Sequence, residues 1–400
     1  MNNKANGNKP SSPSPAPGGV KKFIGKFKKW QLSIFACVLV ILIVLGIYIV
    51  LMETGEITVE KSYEGGHYTG QWRWGEPGGQ GSLEKDGIVI SGEWVDGQIT
   101  EGTITTPQLV YRGGIRDNKP DGYGSCHYLN GDQYYGMWKE GMESGLGRLD
   151  YEDGKIAFGI WKDGQLDLPA GQRFTVGNRV YGLDISVHQP DIDWNDLALY
   201  CDSVGQYVQG KTPYLQPIYF VVCKSTEGTT VQDKLFNRRF AEAKAHGLYV
   251  GAYHFLTNMS SVDTQIKNFI DNTPLKSGDL PPILDIELPN SVMRKNGKQV
   301  IADAHKWLEA MEEHYGVKPI LYTYTSFYND YLKNQGFEEY ELWIARYGVK
   351  QLPNLRHWII WQFTEDGDIQ GINRTVDINR FKGSFADFRN WVDTLTWKTE

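Results

Sequence analysis

Two carboxylates two residues apart, at the end of a short apolar run, are the feature of this sequence most able to do chemistry. The run is Pro282-Ile283-Leu284-Asp285-Ile286-Glu287. Side chains alternate along a strand, so Ile283, Asp285 and Glu287 should face one side and Leu284, Ile286 and Leu288 the other. The two acids then stand together, with Cα atoms roughly 6.6–6.8 Å apart. Paired carboxylates in an apolar setting push one pKa up, leaving a neutral acid beside an ionised partner. That is the equipment of glycoside hydrolysis, where one carboxyl protonates the leaving oxygen and another stabilises the cationic centre. Asp184-Ile185-Ser186 and Val376-Asp377-Ile378-Asn379 carry two more acids at the tips of apolar runs. One such Asp alone would be a loop cap. Four at the tips of three strands point to a single mouth.

The elements that would position them alternate in type. Strands are expected at 182–186, 219–225, 249–255, 282–288, 319–325, 342–347, 358–363 and 375–379. In 231–246, Phe236, Phe240 and Ala243 share a helical face, and Gly247 suits the C-terminal cap. In 298–315, Ile301, Ala304, Leu308 and Met311 do the same before Gly316. This pattern predicts an α/β fold: an irregular TIM-like β/α barrel of eight strands, with helices fading after the fifth. In such barrels the reacting groups sit at the C-terminal ends of the strands. Tyr253, Tyr322, Trp343, Tyr347 and Trp361 would then lie inward near strand ends, as sugar-stacking surfaces or as ordinary barrel core. His254, next to Tyr253, divides between core and substrate contact.

Other chemistries find no footing. The eight histidines form no H-E-x-x-H, and there is no G-x-S-x-G elbow or G-x-x-x-x-G-K-[ST] loop. Cys37, Cys126, Cys201 and Cys223 form no CxxC pair, so no metal site or cofactor is expected. Cys223 sits mid-strand as a buried hydrophobe. Seven lysines and no acid fall in residues 1–30, leaving 34 basic against 48 acidic residues in the rest. So acidic a body argues against nucleic acid as partner.

The first half of the chain is organised differently. Residues 1–31 form a basic tail rich in Ser, Pro, Asn and Gly, which cannot bury enough surface to fold and is expected to be disordered. Leu32 to Met52 is a stretch without charge, long enough to span a bilayer of roughly 30 Å. Lys21, Lys22, Lys26, Lys28 and Lys29 before it and Glu53, Glu56 and Glu60 after it place the N-terminus in the cytoplasm and the remainder outside. Between 62 and 167 a glycine flanked by aromatics recurs at 70, 92, 113, 136 and 159, separated by Asp-Gly and Asn-Gly turns. A period near 20 with hairpin turns means stacked β-hairpins, here an all-β region that reads as a spacer. Residues 168–180 break the period and form a linker; residues 181–398 are the barrel.

Both halves resemble known families. The hairpins resemble the MORN repeat, in about five copies, through Tyr68-Thr69-Gly70-Gln71-Trp72 and Tyr135-Gly136-Met137-Trp138 among others. The barrel resembles glycoside hydrolase family 25, the Chalaropsis-type lysozymes. The matching segments are Gly182-Leu183-Asp184-Ile185-Ser186, Lys224-Ser225-Thr226-Glu227-Gly228, Gly251-Ala252-Tyr253-His254-Phe255, Asp285-Ile286-Glu287, Trp361-Gln362-Phe363 and Val376-Asp377-Ile378-Asn379. That resemblance implies hydrolysis of the β-1,4 bond between N-acetylmuramic acid and N-acetylglucosamine in peptidoglycan. It makes Glu287 the general acid, with Asp285 beside it, Asp184 and Asp377 completing the acidic mouth, and Gln362 joining the substrate contacts. Either Asp285 or the substrate's own N-acetyl group could be the nucleophile. The expected protein is therefore a single-pass, membrane-anchored muramidase with its catalytic domain periplasmic or extracellular, and with peptidoglycan strands as partner. The alternatives are an enzyme for another N-acetylated glycan, or a non-catalytic envelope scaffold whose repeats bind glycan or an envelope protein.

Overall fold

The computed structural model describes residues 29–54, 57–352, 355 and 357–398. The expected tail lies outside them as far as residue 28. Helix α1 (Lys29–Thr54) contains the apolar stretch Ser33–Leu51, with mean hydropathy 3.3 and none of it buried against the protein. A helix whose central stretch is apolar on every face and unburied is suited to lipid.

Eleven antiparallel strands follow, from β1 (Thr58–Tyr63) to β11 (Gln165–Asp167), as a meander in strict chain order. The spacing of Tyr, Gly and Trp has a direct physical reason. Tyr68, Tyr111 and Tyr134 are fully buried, and each donates its hydroxyl to a carbonyl three residues on: Gln71 at 2.8 Å, Gly114 at 2.7 Å and Met137 at 3.2 Å. Each ring lies over a glycine of the next strand. A Cβ at Gly81 would stand 2.0 Å from the Tyr68 hydroxyl, and one at Gly147 2.1 Å from that of Tyr134. Trp94 and Trp161 then donate to the carbonyls of Gly81 and Gly147, both at 3.1 Å. Edge-to-face contacts such as Tyr134 with Trp138 and Trp161, at 5.3 Å each, carry this packing from one hairpin to the next.

The second sheet contains β12 (Tyr181–Ile185), β13 (Ala198–Cys201), β14 (Tyr214–Glu227), β15 (Val231–Gln232), β16 (Tyr249–Phe255) and β17 (Ile283–Asp285). It continues through β18 (Ile320–Tyr324), β19 (Glu341–Ala345), β20 (Trp358–Gly367) and β21 (Val376–Phe381). Eight of these form a barrel-like ring, closed by pairing of β12 with both β14 and β21; β13 and β15 pair only with β14. The helices are α2 (Phe236–Ala245), α3 (Val262–Asn272), α4 (Asn290–Tyr315), the single turn α5 (Thr325–Phe327) and α6 (Phe385–Asp393). Phe220, Val222, Ile283, Ile320 and Ile360 fill the ring, while Val221, Leu284, Leu321 and Ile344 pack outward against helix residues such as Phe240, Trp307 and Leu308.

Four details differ from a regular reading of the sequence pattern. Strand β21 runs antiparallel to both neighbours, so the ring is not all-parallel. The segment joining it to β20 is too short for a crossover, which takes about a dozen residues or more. The acid pair does not lie on one long strand, since β17 stops at Asp285. Finally, Val231 begins a short strand instead of a helix, and α4 starts at Asn290 rather than near residue 298.

The repeats also touch the barrel. Helix α6, capped by Ser384 and Asp387, sets Phe388 against Phe220 and Phe381 at the end of the ring away from the acids. Leu146, Ile156 and Phe158 of the repeats join the same buried cluster as Tyr219, Phe220 and Phe385. Beside them Arg148 is inserted with its side chain 7% exposed, its Nε 2.9 Å from Asp150 Oδ1 and its Nη2 donating to the Gly247 carbonyl at 3.1 Å. Its guanidinium lies 5.1 Å from the Tyr135 ring and 5.8 Å from that of Tyr219. The spacer is thus one side of an interface.

Candidate active site

The mouth is assembled from both strand directions. Asp184 is the fourth residue of β12, and its cross-strand partner is Asp377, the second residue of β21. Because β21 is reversed, the N-terminal tip of that strand reaches the mouth formed by the C-terminal tips of the others. Asp285 ends β17 between Phe255 and Tyr322. Beyond it the chain stays extended, because Ile286 N–H donates to the Tyr322 carbonyl at 3.0 Å and Thr323 Oγ1 to the Ile286 carbonyl at 2.8 Å. Alternation therefore continues: Ile286 and Leu288 are buried among the helices, and Glu287 lines the same cleft as Asp285.

That cleft has a volume of about 340 Å³ and takes in Asp184, Lys224, Tyr253, Asp285, Glu287 and Asp377. A second cleft of about 540 Å³ shares Glu287, Tyr322 and Asp377 with it and extends past Tyr347. The two halves form one groove with Glu287 at their junction, a shape suited to a chain molecule crossing the carboxyl.

A chain of side-chain hydrogen bonds fixes Asp184. Trp343 Nε1 donates to Asn379 Oδ1 at 2.7 Å, and Asn379 Nδ2 donates to Asp184 Oδ1 at 2.7 Å. Gln362 Nε2 reaches both Asp184 oxygens, at 3.1 and 3.0 Å. Its Oε1 accepts from Tyr322 at 2.9 Å and Tyr347 at 2.6 Å, which fixes the amide orientation. These aromatics hold polar groups of the site as well as walling it.

Four carboxyls crowded in low dielectric cannot all be ionised. Burial raises Asp184 to about 6 against the donors Asn379 and Gln362. Burial, then the charge of Asp184, raises its neighbour Asp377 to about 9, so the two carboxyls titrate as a pair that resists losing both protons. Burial and the charge of Glu287 raise Asp285 well above the carboxylate range, and its Oδ1 has no hydrogen-bond partner among the described residues. Glu287 is raised too, by burial first, with the Tyr322 hydroxyl opposing and Asp377 and Glu365 adding.

Asp184, Asp285, Glu287, Asp377, Tyr253, Tyr322 and Trp343 come together around the first cleft, and Tyr347 joins at the second. Gln362 lies behind the acids. Two expected contacts lie elsewhere. His254 is fully buried, stacked on Trp307, with Nδ1 2.7 Å from Thr226 Oγ1 and Nε2 3.2 Å from Gln265 Oε1. Burial lowers it to about 4, a neutral ring in the layer between sheet and helices. Trp361 packs in that outer layer with Nε1 on the Arg346 carbonyl at 2.8 Å. Asn379 was visible in the sequence only as the last letter of a motif, and its hold on Asp184 needs the cross-strand register.

An eight-stranded ring with clustered carboxyls in an aromatic-walled groove has the equipment of a glycoside hydrolase, and similarity to known proteins assigns that class. The family model for glycosyl hydrolases family 25 matches residues 183–372, and the MORN repeat model matches 68–86, 111–133 and 134–156. The uncharacterized protein YegX of Escherichia coli K12 is 31% identical over 224 residues, covering 56% of this chain and 77% of that one. Lysozyme M1 of Streptomyces globisporus is 29% identical over 220 residues, covering 52% and 69%. Among solved structures, a family 25 glycosyl hydrolase from Bacillus anthracis has 29% identity and a TM-score of 0.43, covering 53% of this chain and 92% of that one. The chain belongs to glycosyl hydrolases family 25.

Proposed function

We propose that this protein is a membrane-anchored muramidase that cleaves the β-1,4 bond between N-acetylmuramic acid and N-acetylglucosamine. The carrying observation is the groove that runs across Glu287 with the buried, unpartnered Asp285 Oδ1 beside it. The lysozyme among its relatives supports peptidoglycan as substrate. Glu287, whose carboxyl burial pushes above its ordinary range, gives its proton to the glycosidic oxygen as the C1–O bond breaks. The substrate's acetamido oxygen closes on C1, and its N–H donates to Asp285 Oδ1. Water then opens the ring with Glu287 as base, which retains configuration. Asp184, held by Asn379 and Gln362, and Asp377, which titrates with it, set the charge around this pair.

Purified peptidoglycan incubated with the full chain in detergent should release fragments with N-acetylmuramic acid at the new reducing ends. Ends made only of N-acetylglucosamine would overturn the bond assignment. In the proposed topology α1 crosses the membrane and the barrel is outside. Protease added to intact spheroplasts should therefore cut the barrel, and a protected barrel contradicts this.

The same reading fixes a pH response. Glu365 helps to raise Glu287. In Glu365→Gln that contribution is gone, Glu287 ionises at lower pH, and the general acid is lost earlier. The alkaline limb of the kcat/KM profile should move to lower pH; a limb that stays put separates Glu287 from that ionisation.

A further inference from the structure

The two halves of the groove differ in the cations they offer. In the first half the cation is Lys224, whose Nζ is 2.6 Å from Glu227 Oε2 and so already neutralised. In the second half it is Arg346, on a wall whose other charged residues are Glu287, Glu365 and Asp377. The backbone of Arg346 is pinned on both sides: its N–H donates to the Gln362 carbonyl at 3.0 Å, and its carbonyl accepts from Trp361 Nε1 at 2.8 Å. Its exposed guanidinium makes no ion pair among the described residues.

Even with some of its carboxyls protonated, a groove without an excess of cations opposes an anionic chain unless a cation meets the substrate's charge. A neutral N-acetylated glycan needs no such cation. We infer that Arg346 is a specificity residue, which receives a carboxylate borne on the sugar chain and so favours acidic N-acetylated glycans over neutral ones of the same backbone. This rests on the muramidase reading and assigns the residue that distinguishes such a substrate. A guanidinium fork matches a carboxylate in two parallel hydrogen bonds, whereas a lysine in its place would offer a single point charge. The anion would be the lactyl carboxylate of a bare muramic acid or that of its stem peptide; they share one chemistry.

The test uses the full chain in detergent on peptide-free glycan strands with free lactyl carboxylates, and on the same strands after methyl esterification. A parallel series keeps the stem peptides. Wild type should prefer the free acid by roughly two- to fivefold in kcat/KM, the upper part of the range for one exposed charge pair, and the preference should shrink with added salt. In Arg346→Gln the ratio should fall towards one through the KM of the acidic strands, and Arg346→Lys should recover part of it. A preference in the peptide-bearing series alone assigns the anion to the peptide. Equal rates on free and esterified strands without a peptide effect, or an undiminished preference in Arg346→Gln, overturns the inference. If wild type cleaves no strand of any kind, the muramidase reading falls and takes the inference with it.

Discussion

Glu287→Gln should lower hydrolysis of peptidoglycan by about 10²–10⁴-fold, the usual contribution of a positioned general acid. The amide has nearly the same shape as the carboxyl and cannot give up a proton. Stability should not suffer: burial already disfavours the charged form of Glu287, so a neutral side chain removes a penalty instead of a support. Unchanged thermal unfolding together with the lost rate is the expected pair of results, and more than about a tenth of wild-type activity would remove Glu287 from the role. Asp285→Asn is a useful companion. Folded Asp285 holds its proton to a higher pH than the unfolded chain does, so its contribution to stability declines as pH rises from the ordinary carboxylate range towards its raised pKa. An Asn at 285 should therefore unfold at a higher temperature than wild type near neutral pH while losing most activity. That opposition is what a site holding a buried carboxyl for function should show.

The acid pair was legible because strand periodicity alone puts Asp285 and Glu287 on one side, and the packing of Leu284 and Ile286 against the helices follows the same rule. The rule also limits what a motif can mean. Adjacent strand residues face opposite ways, so Tyr253 and His254 could not both enter the cleft, nor Gln362 and Trp361. The interior partner in each pair is the first of those names; the other lies under the helices. Parity along each strand is enough to separate the members of a pair on sequence grounds alone. The reversal of β21 had a signal as well, in a connection too short to cross the barrel. The bonds from Trp343 through Asn379 to Asp184 had none, because they join three strands far apart in sequence. Nor was the contact between repeats and barrel legible. The array's own Tyr-Gly-Trp packing explains its period completely and uses Tyr134, whereas the adjacent Tyr135, a letter of the quoted motif, and Arg148, outside it, face the barrel.

That contact leads to the second large effect. Arg148→Ala should destabilise the part of the protein that follows α1 by about 3–5 kcal/mol, the cost of breaking a buried ion pair from one side. The change leaves Asp150, 17% exposed, without its guanidinium and the Gly247 carbonyl without its donor, and it opens space between the Tyr135 and Tyr219 rings. Lys162→Ala, at a solvent-exposed ion pair with Asp167, is the matched control and should change little. The consequence for the repeats is concrete. Were they a detached spacer, removing residues 62–167 would leave the barrel as stable as before. In this fold the deletion uncovers Tyr219 and Phe385 and takes away Leu146, Ile156 and Phe158, each worth roughly 1.5–3 kcal/mol when fully buried. The truncated barrel should thus melt earlier and aggregate more readily, although all four acids lie beyond the deletion. The interface is at the end of the ring opposite those acids, where Gly247 and Tyr249 lead into β16, so it holds the barrel by its base and leaves the groove free. Arg148→Ala should accordingly lower the unfolding temperature while kcat on soluble glycan fragments, measured well below that temperature, stays within about twofold of wild type. A barrel that melts as wild type after loss of Arg148 or of the whole array would return the repeats to the role of a spacer. A fall in kcat at full folding would instead show that the base of the barrel communicates with its mouth.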